Sequence, residues 1–338
     1  MNRQAGNGKP PAIVVEHLTK RFGEFVADDD LNFTVAQGEI FGILGPNGAG
    51  KSTLIRMLDT LIAPTSGIAR VMGHDVARET ATVRQEIGVI SQANTVDQDL
   101  SAWESLDIYG KFYSLPRKVR RQRATELLEA VGLTEWKDRP AGTYSGGMRR
   151  RLEIARGLIH RPHVFILDEP TTGLDPQSRR VIWELLEGLR SQGDLTILLC
   201  THYMDEADRL CDRLAIIDHG KIVALGTPRE LKSSVPGQDI LTVQFFQEVS
   251  DELLAALKGL PNVKDAGREE THTARLILGG DVVPLEAIAD ASRAHGDKVK
   301  NMSLLEPTLE DVFLHYTGRG LRDAATQEYT YAVPTMMR

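Results

Sequence analysis

The sequence predicts an α/β fold with a mixed, mainly parallel sheet covered by helices, followed by a small α+β domain. Three observations lead there. Residues 39–45 (EIFGILG), 163–170 (HVFILDEP) and 195–202 (LTILLCTH) are near-continuous apolar runs, the mark of strands buried on both faces. Helical spacing fills the stretches between them. After a break at residues 232–239 (KSSVPGQD), the order becomes strand, helix, two strands, helix, strand, which suggests a ferredoxin-like domain.

Taken in order, residues 1–11 are polar and carry Gly and Pro, and are expected to form a tail. Residues 12–15 (AIVV) begin a strand, a turn follows near 20–23, and a second strand pattern covers 31–35. The buried strand at 39–45 leads to residues 51–62 (KSTLIRMLDTLI), a helix that stops before Ala63-Pro64. Helical patterns fill about 101–133, then 149–159 (RRRLEIARGLI) and 181–189, and residues 215–226 (AIIDHGKIVALG) form a hairpin turning at 218–221. The expected organisation is a tail to residue 11, a domain over 12–231 with a helical subdomain at about 93–160, a linker at 232–239, a domain at 240–318 and a tail over 319–338.

The 338 residues carry 40 Lys and Arg against 47 Asp and Glu, a net charge of −7. That balance argues against a general surface for nucleic-acid phosphates. With 41% hydrophobic and 26% charged residues the chain is globular. Two cysteines, Cys200 and Cys211, exclude a disulfide scaffold and a Cys-rich metal site, and fit a reducing compartment. No apolar run approaches the roughly 20 residues needed to cross a bilayer, and the opening MNRQAGNGKPP lacks the apolar core of a signal peptide. The chain is expected to be soluble by itself, with any membrane role exerted through a partner.

Gly45-Pro46-Asn47-Gly48-Ala49-Gly50-Lys51-Ser52 fits G-x-x-x-x-G-K-[ST] between a buried strand and an amphipathic helix. The glycines let the backbone wrap a polyphosphate with its N–H groups inward, and the following helix aims its positive end at the same anions. Lys51 supplies a charge for the outer phosphates, and the Ser52 hydroxyl suits a Mg²⁺ shell. Asp168 and Glu169 close an apolar strand, so in a parallel sheet they reach the ligand crevice. Asp168 suits the metal, and Glu169 suits the orientation or deprotonation of an attacking water. Alone, such a strand end is a common solvated surface. His202 ends a further apolar strand, where a donor could reach the terminal phosphate.

Between these elements Tyr144-Ser145-Gly146-Gly147-Met148 leads into a helix. With this motif in place, residues 13–230 resemble an ATP-binding-cassette (ABC) transporter ATPase, a P-loop NTPase fold. The resemblance implies an adenine-stacking Phe22, a phosphate loop running from Gly45 to Thr53, and Gln92 as a loop glutamine touching nucleotide and metal. It also implies Ser145, Gly146 and Gly147 as donors to a partner's ATP, Asp175 in a loop at the dimer seam, and Glu169 and His202 as catalytic groups. Tyr144 departs from the usual leucine and Phe22 from the commoner tyrosine; stacking survives the second change. ATP and Mg²⁺ are the implied cofactors. One phosphate loop and one signature cannot close a site within one chain, so a second copy or a close homologue is expected. Residues 306–318 (EPTLEDVFLHYTG) resemble the tail of cassettes serving drug- and antibiotic-resistance exporters. That implies efflux of a hydrophobic compound through a separate integral-membrane permease, at the cytoplasmic face of the membrane, with no nucleic acid. The rival is a soluble ABC-type binding switch acting on ribosome or DNA, whose relatives usually carry two cassettes or a long coiled coil.

Other signals are read as structural. The basic run at 117–123 (RKVRRQR) precedes an amphipathic helix as a solvated face, and Arg149, Arg150 and Arg151 are expected to solvate the signature helix. His160 and His163 flank Pro162 outside a helix and make no metal pair. Cys200 reads as core and Cys211 as a small apolar residue on a helix.

Overall fold

Alternating apolar and polar residues build β1 (Ile13–Phe22) and β2 (Phe25–Val35), which pair as a hairpin with Ile13 opposite Val35. In the computed structural model, which describes residues 9–93, 95–191, 195–235, 240–279, 283–305 and 307–318, β1 also pairs with β4 (Ser66–Val71), and β4 with β5 (His74–Asp75). These strands form an antiparallel sheet of their own, ordered β2-β1-β4-β5. The strand expected at 31–35 begins six residues earlier, so the acidic run Asp28-Asp29-Asp30 lies inside it.

The wholly buried β3 (Ile40–Leu44), β7 (Val164–Asp168) and β8 (Thr196–Thr201) are the expected apolar strands. They join β6 (Ile87–Ile90), β9 (Arg213–Asp218) and β10 (Lys221–Gly226) in a sheet ordered β10-β9-β3-β8-β7-β6. All of its neighbours are parallel except the β9–β10 hairpin, whose turn pairs Asp218 with Lys221. Between the two sheets, Ile13, Leu18, Phe41, Ile43, Leu54, Met57, Ile166 and Leu198 share one core. Phe33 stacks on Phe41 across it, with ring centroids 5.3 Å apart.

After α2 (Thr80–Glu86), the helical stretch is α3 (Ala102–Phe112), α4 (Arg117–Ala130) and α5 (Gly146–Gly157). Ser101 and Glu104 close a reciprocal cap on α3. The basic run at 117–123 is the first half of α4 rather than a flank. Two of its arginines turn inward, Arg120 to Asp107 and the Leu115 carbonyl, Arg123 to Glu126 and the Leu158 carbonyl. Cys211 follows α7 (Met204–Leu210) in extended backbone instead of lying on it.

The chain divides into two compact units, one of described residues up to Pro228 and one of Arg229–Gly318. A helix, α8 (Pro228–Ser234), occupies the first part of the segment expected as a linker, because Pro228 suits a first helical position. Residues 236–239 of that segment, residues 1–8 and 319–338 of the expected tails, and Glu306 lie outside the described residues.

In the second unit β11 (Ile240–Phe245), β12 (Val263–Glu270), β13 (Thr273–Leu278) and β14 (Val299–Leu305) pair antiparallel in the order β12-β13-β11-β14. With α9 (Asp251–Lys258) and α10 (Leu285–Ala294) as the connections, this is the ferredoxin-like arrangement. Leu241, Val243, Phe245, Leu253, Leu257, Leu276 and Ile288 fill its core. A final helix, α11 (Leu309–Thr317), begins with a Thr308–Asp311 capping box. Among the described residues no helix is long and apolar enough to cross a membrane.

Candidate nucleotide site

Four of the parallel strands, β3, β8, β7 and β6, send their carboxyl ends to one edge of the sheet. Residues 45–50 follow β3, Gln92 follows β6, Glu169 follows β7 and His202 follows β8, so four segments distant in sequence meet where α/β sheets hold ligands. The loop turns directly into α1 (Lys51–Leu58). Two of its glycines are required by space. A side chain on Gly45 would lie 2.3 Å from the Ile217 carbonyl oxygen. At Gly50, where φ is +111°, it would lie 2.2 Å from Asp28 Oδ1. Pro46 and Ala49 close a turn through Ala49 N–H to Pro46 O at 3.3 Å, with Asn47 and Gly48 at its tip.

Lys51 is buried and donates to the carbonyls of Gly45 and Pro46 at 2.7 and 2.9 Å. Its ammonium lies 3.6 Å from Glu169 Oε1. Burial pulls its pKa down, against the pull of the Glu169 and Asp168 carboxylates. Ser52 Oγ donates to Asp168 Oδ2 at 3.3 Å, while Thr53 continues α1. Asp168 Oδ1 is buried with no hydrogen-bond partner, and burial, seconded by the Glu169 charge, raises its carboxyl.

Glu169 is the focus of the site. Its φ of +48° is costly for a residue with a Cβ. Its N–H is held by the Cys200 carbonyl at 2.8 Å. Oε2 accepts from Gln92 Nε2 at 3.0 Å and from the Thr172 hydroxyl at 3.1 Å, and Oε1 lies 3.0 Å from His202 Nδ1. Burial works to raise this carboxyl, but His202, Lys51 and Thr172 hold it below its ordinary value. A carboxylate kept ionised among donors is suited to accept a proton or align a water.

The signature segment lies elsewhere. Ser145 caps α5, accepting from Met148 N–H at 3.2 Å. A side chain on Gly147 would lie 2.6 Å from Ser178 Oγ, and one on Gly146 would meet Leu174 at ordinary contact distance. Asp175 caps α6 (Pro176–Ser191) through Ser178 N–H and Oγ at 2.9 and 2.6 Å, so the signature and the Asp175 loop are neighbours. Phe22 stands half exposed at the β1–β2 hairpin, with the Lys20 ammonium 5.0 Å from its ring centre.

Two residues with large consequences escape the sequence reading. Arg150 does not solvate its helix; it is 6% exposed and turned into the protein. Asp28 is fully buried behind Gly50 with neither oxygen hydrogen-bonded, and desolvation pushes its carboxyl up to about 7. The one signal for Asp28 was three consecutive acids running into an alternating strand.

A family model described as ABC transporter matches residues 29–172, and a second, described as the C-terminal domain of DrrA1-3-like ATP-binding proteins, matches 226–317. The daunorubicin/doxorubicin resistance ATP-binding protein DrrA of Streptomyces peucetius is 43% identical over 94% of this chain and 96% of its own. The chain belongs to the ABC transporter ATP-binding proteins. The linearmycin resistance ATP-binding protein LnrL of Bacillus subtilis is 39% identical over 92% of this chain and all of its own. The Nod factor export ATP-binding protein I of Ralstonia nicotianae is 41% identical over 94% and 97%. Among solved structures, the cassette cbiO1 of Clostridium perfringens, part of an ABC transporter complex, superposes with a TM-score of 0.63 at 29% identity, covering 67% of this chain and 92% of that one. As a member of this family the chain is an ATPase that binds ATP in its cassette.

Proposed function

We propose that this cassette powers an exporter of hydrophobic, drug- or antibiotic-like compounds, and that its ATP is hydrolysed at a seam between two copies. The observation that carries the reading is the convergence on Glu169. A carboxylate held ionised touches Gln92, His202 and Lys51 at the mouth of a phosphate loop, while the signature of the same chain caps a different helix. Each nucleotide would lie on residues 45–53 of one copy, with adenine on Phe22, and be closed by Ser145, Gly146 and Gly147 of the other, whose helix N-terminus favours the terminal phosphate. Asp175 lines the seam beside that signature.

The residues present also fit Mg²⁺. Asp168 Oδ1 is buried without a partner beside the Ser52 hydroxyl, a hard-oxygen donor set that the Gln92 amide oxygen would extend. When bound, the ion would neutralise charge on the phosphate oxygens. Lys51 exchanges its loop carbonyls for phosphate oxygens. Glu169 aligns the attacking water and accepts its proton, and His202 donates to the terminal phosphate. Loss of that phosphate removes the contacts across the seam, and the copies part.

The relatives reported above are named for resistance and export, which supports a separate integral-membrane permease at the cytoplasmic face of the membrane and gives no support to a ribosome- or DNA-bound switch. We further propose that the cassette domain, residues 12–231, carries this chemistry, with the helical subdomain at about 93–160 receiving the permease. The test is steady-state ATP hydrolysis by the full chain with Mg²⁺. Turnover that Glu169→Gln removes is expected; turnover indifferent to Glu169→Gln would refute the assignment.

A further inference from the structure

Arg150 lies one turn into the signature helix, and its guanidinium has five N–H donors. All five are engaged. Nε donates to the Pro170 carbonyl at 2.7 Å, and Nη2 to the carbonyls of Asp168 and Glu169, both at 3.1 Å. Nη1 donates to the Ser91 carbonyl at 2.8 Å and to Glu153 Oε2 at 3.0 Å. Glu153 in turn accepts from Thr95 N–H at 2.6 Å, and Arg156 donates to the Thr95 carbonyl at 2.9 Å. One buried side chain therefore joins three segments: the helix bearing Ser145, the segment bearing Gln92, and the turn bearing Glu169.

The turn is the part that needs holding. Residues 168–170 curl around the guanidinium with three successive carbonyls, and Glu169 at their centre has the left-handed backbone, which persists only where its surroundings over-determine it. A planar fork matches three carbonyls on a curve, whereas an ammonium on a flexible stem cannot reach all of them at once.

We propose that Arg150 is a positioning residue for hydrolysis, locking the Glu169 turn and making the signature helix, the Gln92 segment and Glu169 one mechanical unit. This rests on the reading of Glu169 given above and deepens it. By that reading the signature serves the partner's nucleotide while Glu169 serves its own, so Arg150 links each composite site to the other within a single chain.

The experiment is ATP hydrolysis by the full chain carrying Arg150→Gln or Arg150→Lys, with Arg151→Gln as the control. Arg151 sits on the same helix but donates to the carbonyls of Val131 and Gly132. Misplacing a reacting group by about 1 Å costs roughly 10²-fold. Both Arg150 variants are therefore expected to lose kcat on that scale with KM for ATP unchanged, and Arg151→Gln to keep kcat. Arg150→Lys keeps a charge for Glu153, so recovery of kcat in that variant would reduce Arg150 to an ion-pair partner and overturn the proposal. A rise in KM with kcat intact would overturn it equally. If neither variant folds, amide exchange in the unaltered chain decides. Residues 91–95, 146–157 and 168–172 opening as one unit supports the proposal, and independent opening overturns it. A chain whose turnover ignores Glu169→Gln would sink the reading of the site and this inference together; unimpaired Arg150 variants would sink the inference alone.

Discussion

The two units of this chain share a plan, helices packed on a sheet, yet they differ in what they bury. In the first, Asp28, Lys51, Arg150, Glu153, Arg156, Asp168, Glu169 and Glu206 are all buried ionisable side chains. In the second, among the described residues, Asp297 is the one such group, satisfied by the N–H groups of Gln247 and Lys298. Backbone strain divides similarly. Among the described residues, the first unit holds eight left-handed residues other than glycine, Glu169 at a strand end among them, whereas the second holds Asn262, in a connection before a strand. Buried charge is costly unless paired. Both units have an apolar core, so the concentration of buried ionisable groups in the first is what the proposed chemistry adds to an otherwise ordinary folding problem.

Five substitutions would sharpen or break that contrast. The largest effect is expected at Glu169. Losing a general base costs about 10²–10⁴ in rate, so Glu169→Gln should abolish turnover while fluorescent ATP analogues still bind; loss of binding as well would mean the carboxylate serves the loop instead. Next comes the apolar core of the second unit. Phe245→Ala should cost about 3–5 kcal/mol in denaturant unfolding of that unit, because a fully buried ring leaves a cavity. A cost below about 1 kcal/mol, the scale of a single lost cap, would mean that the core collapses around the gap.

Asp28 carries the pH prediction. With its folded pKa raised from 3.8 to about 7, the folded chain keeps a proton there that the unfolded chain has already released. The stability that this one group contributes is thus fully present below pH 3.8 and is lost as pH rises towards 7, by at most about 4 kcal/mol. Asp28→Asn should flatten that decline, bringing the denaturation midpoints at pH 5 and pH 8 together. An unchanged slope would place the titrating group elsewhere. The smallest effect compares two helix caps of the same geometry. Ser250 accepts from Leu253 N–H at 3.1 Å in the second unit, and Ser145 from Met148 N–H at 3.2 Å in the first. Each change to Ala should cost about 1 kcal/mol of stability. Only Ser145→Ala should also slow turnover, and equal turnover in both variants would reduce Ser145 to a cap.

Legibility followed the same division. The phosphate loop could be read because its geometry demands glycine, and Asp168 and Glu169 because an apolar run stops at two acids. The second unit could be read because a break at 232–239 is followed by strand, helix, two strands, helix and strand, an order that few small domains share. Gln92 was placed only through family resemblance, since nothing local distinguishes it. Strands β4, β5 and β6 were missed, β4 and β5 because they are partly exposed and β6 because it has only four residues. Arg150 was misread because three adjacent arginines look solvated. The corrective signal was periodicity: Gly147, Arg150 and Ile154 fall on one helical stripe, and all three are buried. The acceptors that Arg150 meets on that stripe, the carbonyls of residues 168–170, lie far away in sequence, and no local pattern names them.

The central claim is that ATP is held between two copies, each supplying what the other lacks. Its most direct measurement is the sedimentation of the full-length Glu169→Gln chain with Mg-ATP, repeated with the signature blocked by Ser145→Arg. The account predicts that ATP doubles the sedimenting mass and that Ser145→Arg restores the monomer. A chain that stays monomeric with ATP bound, or that pairs equally well after Ser145→Arg, would contradict it.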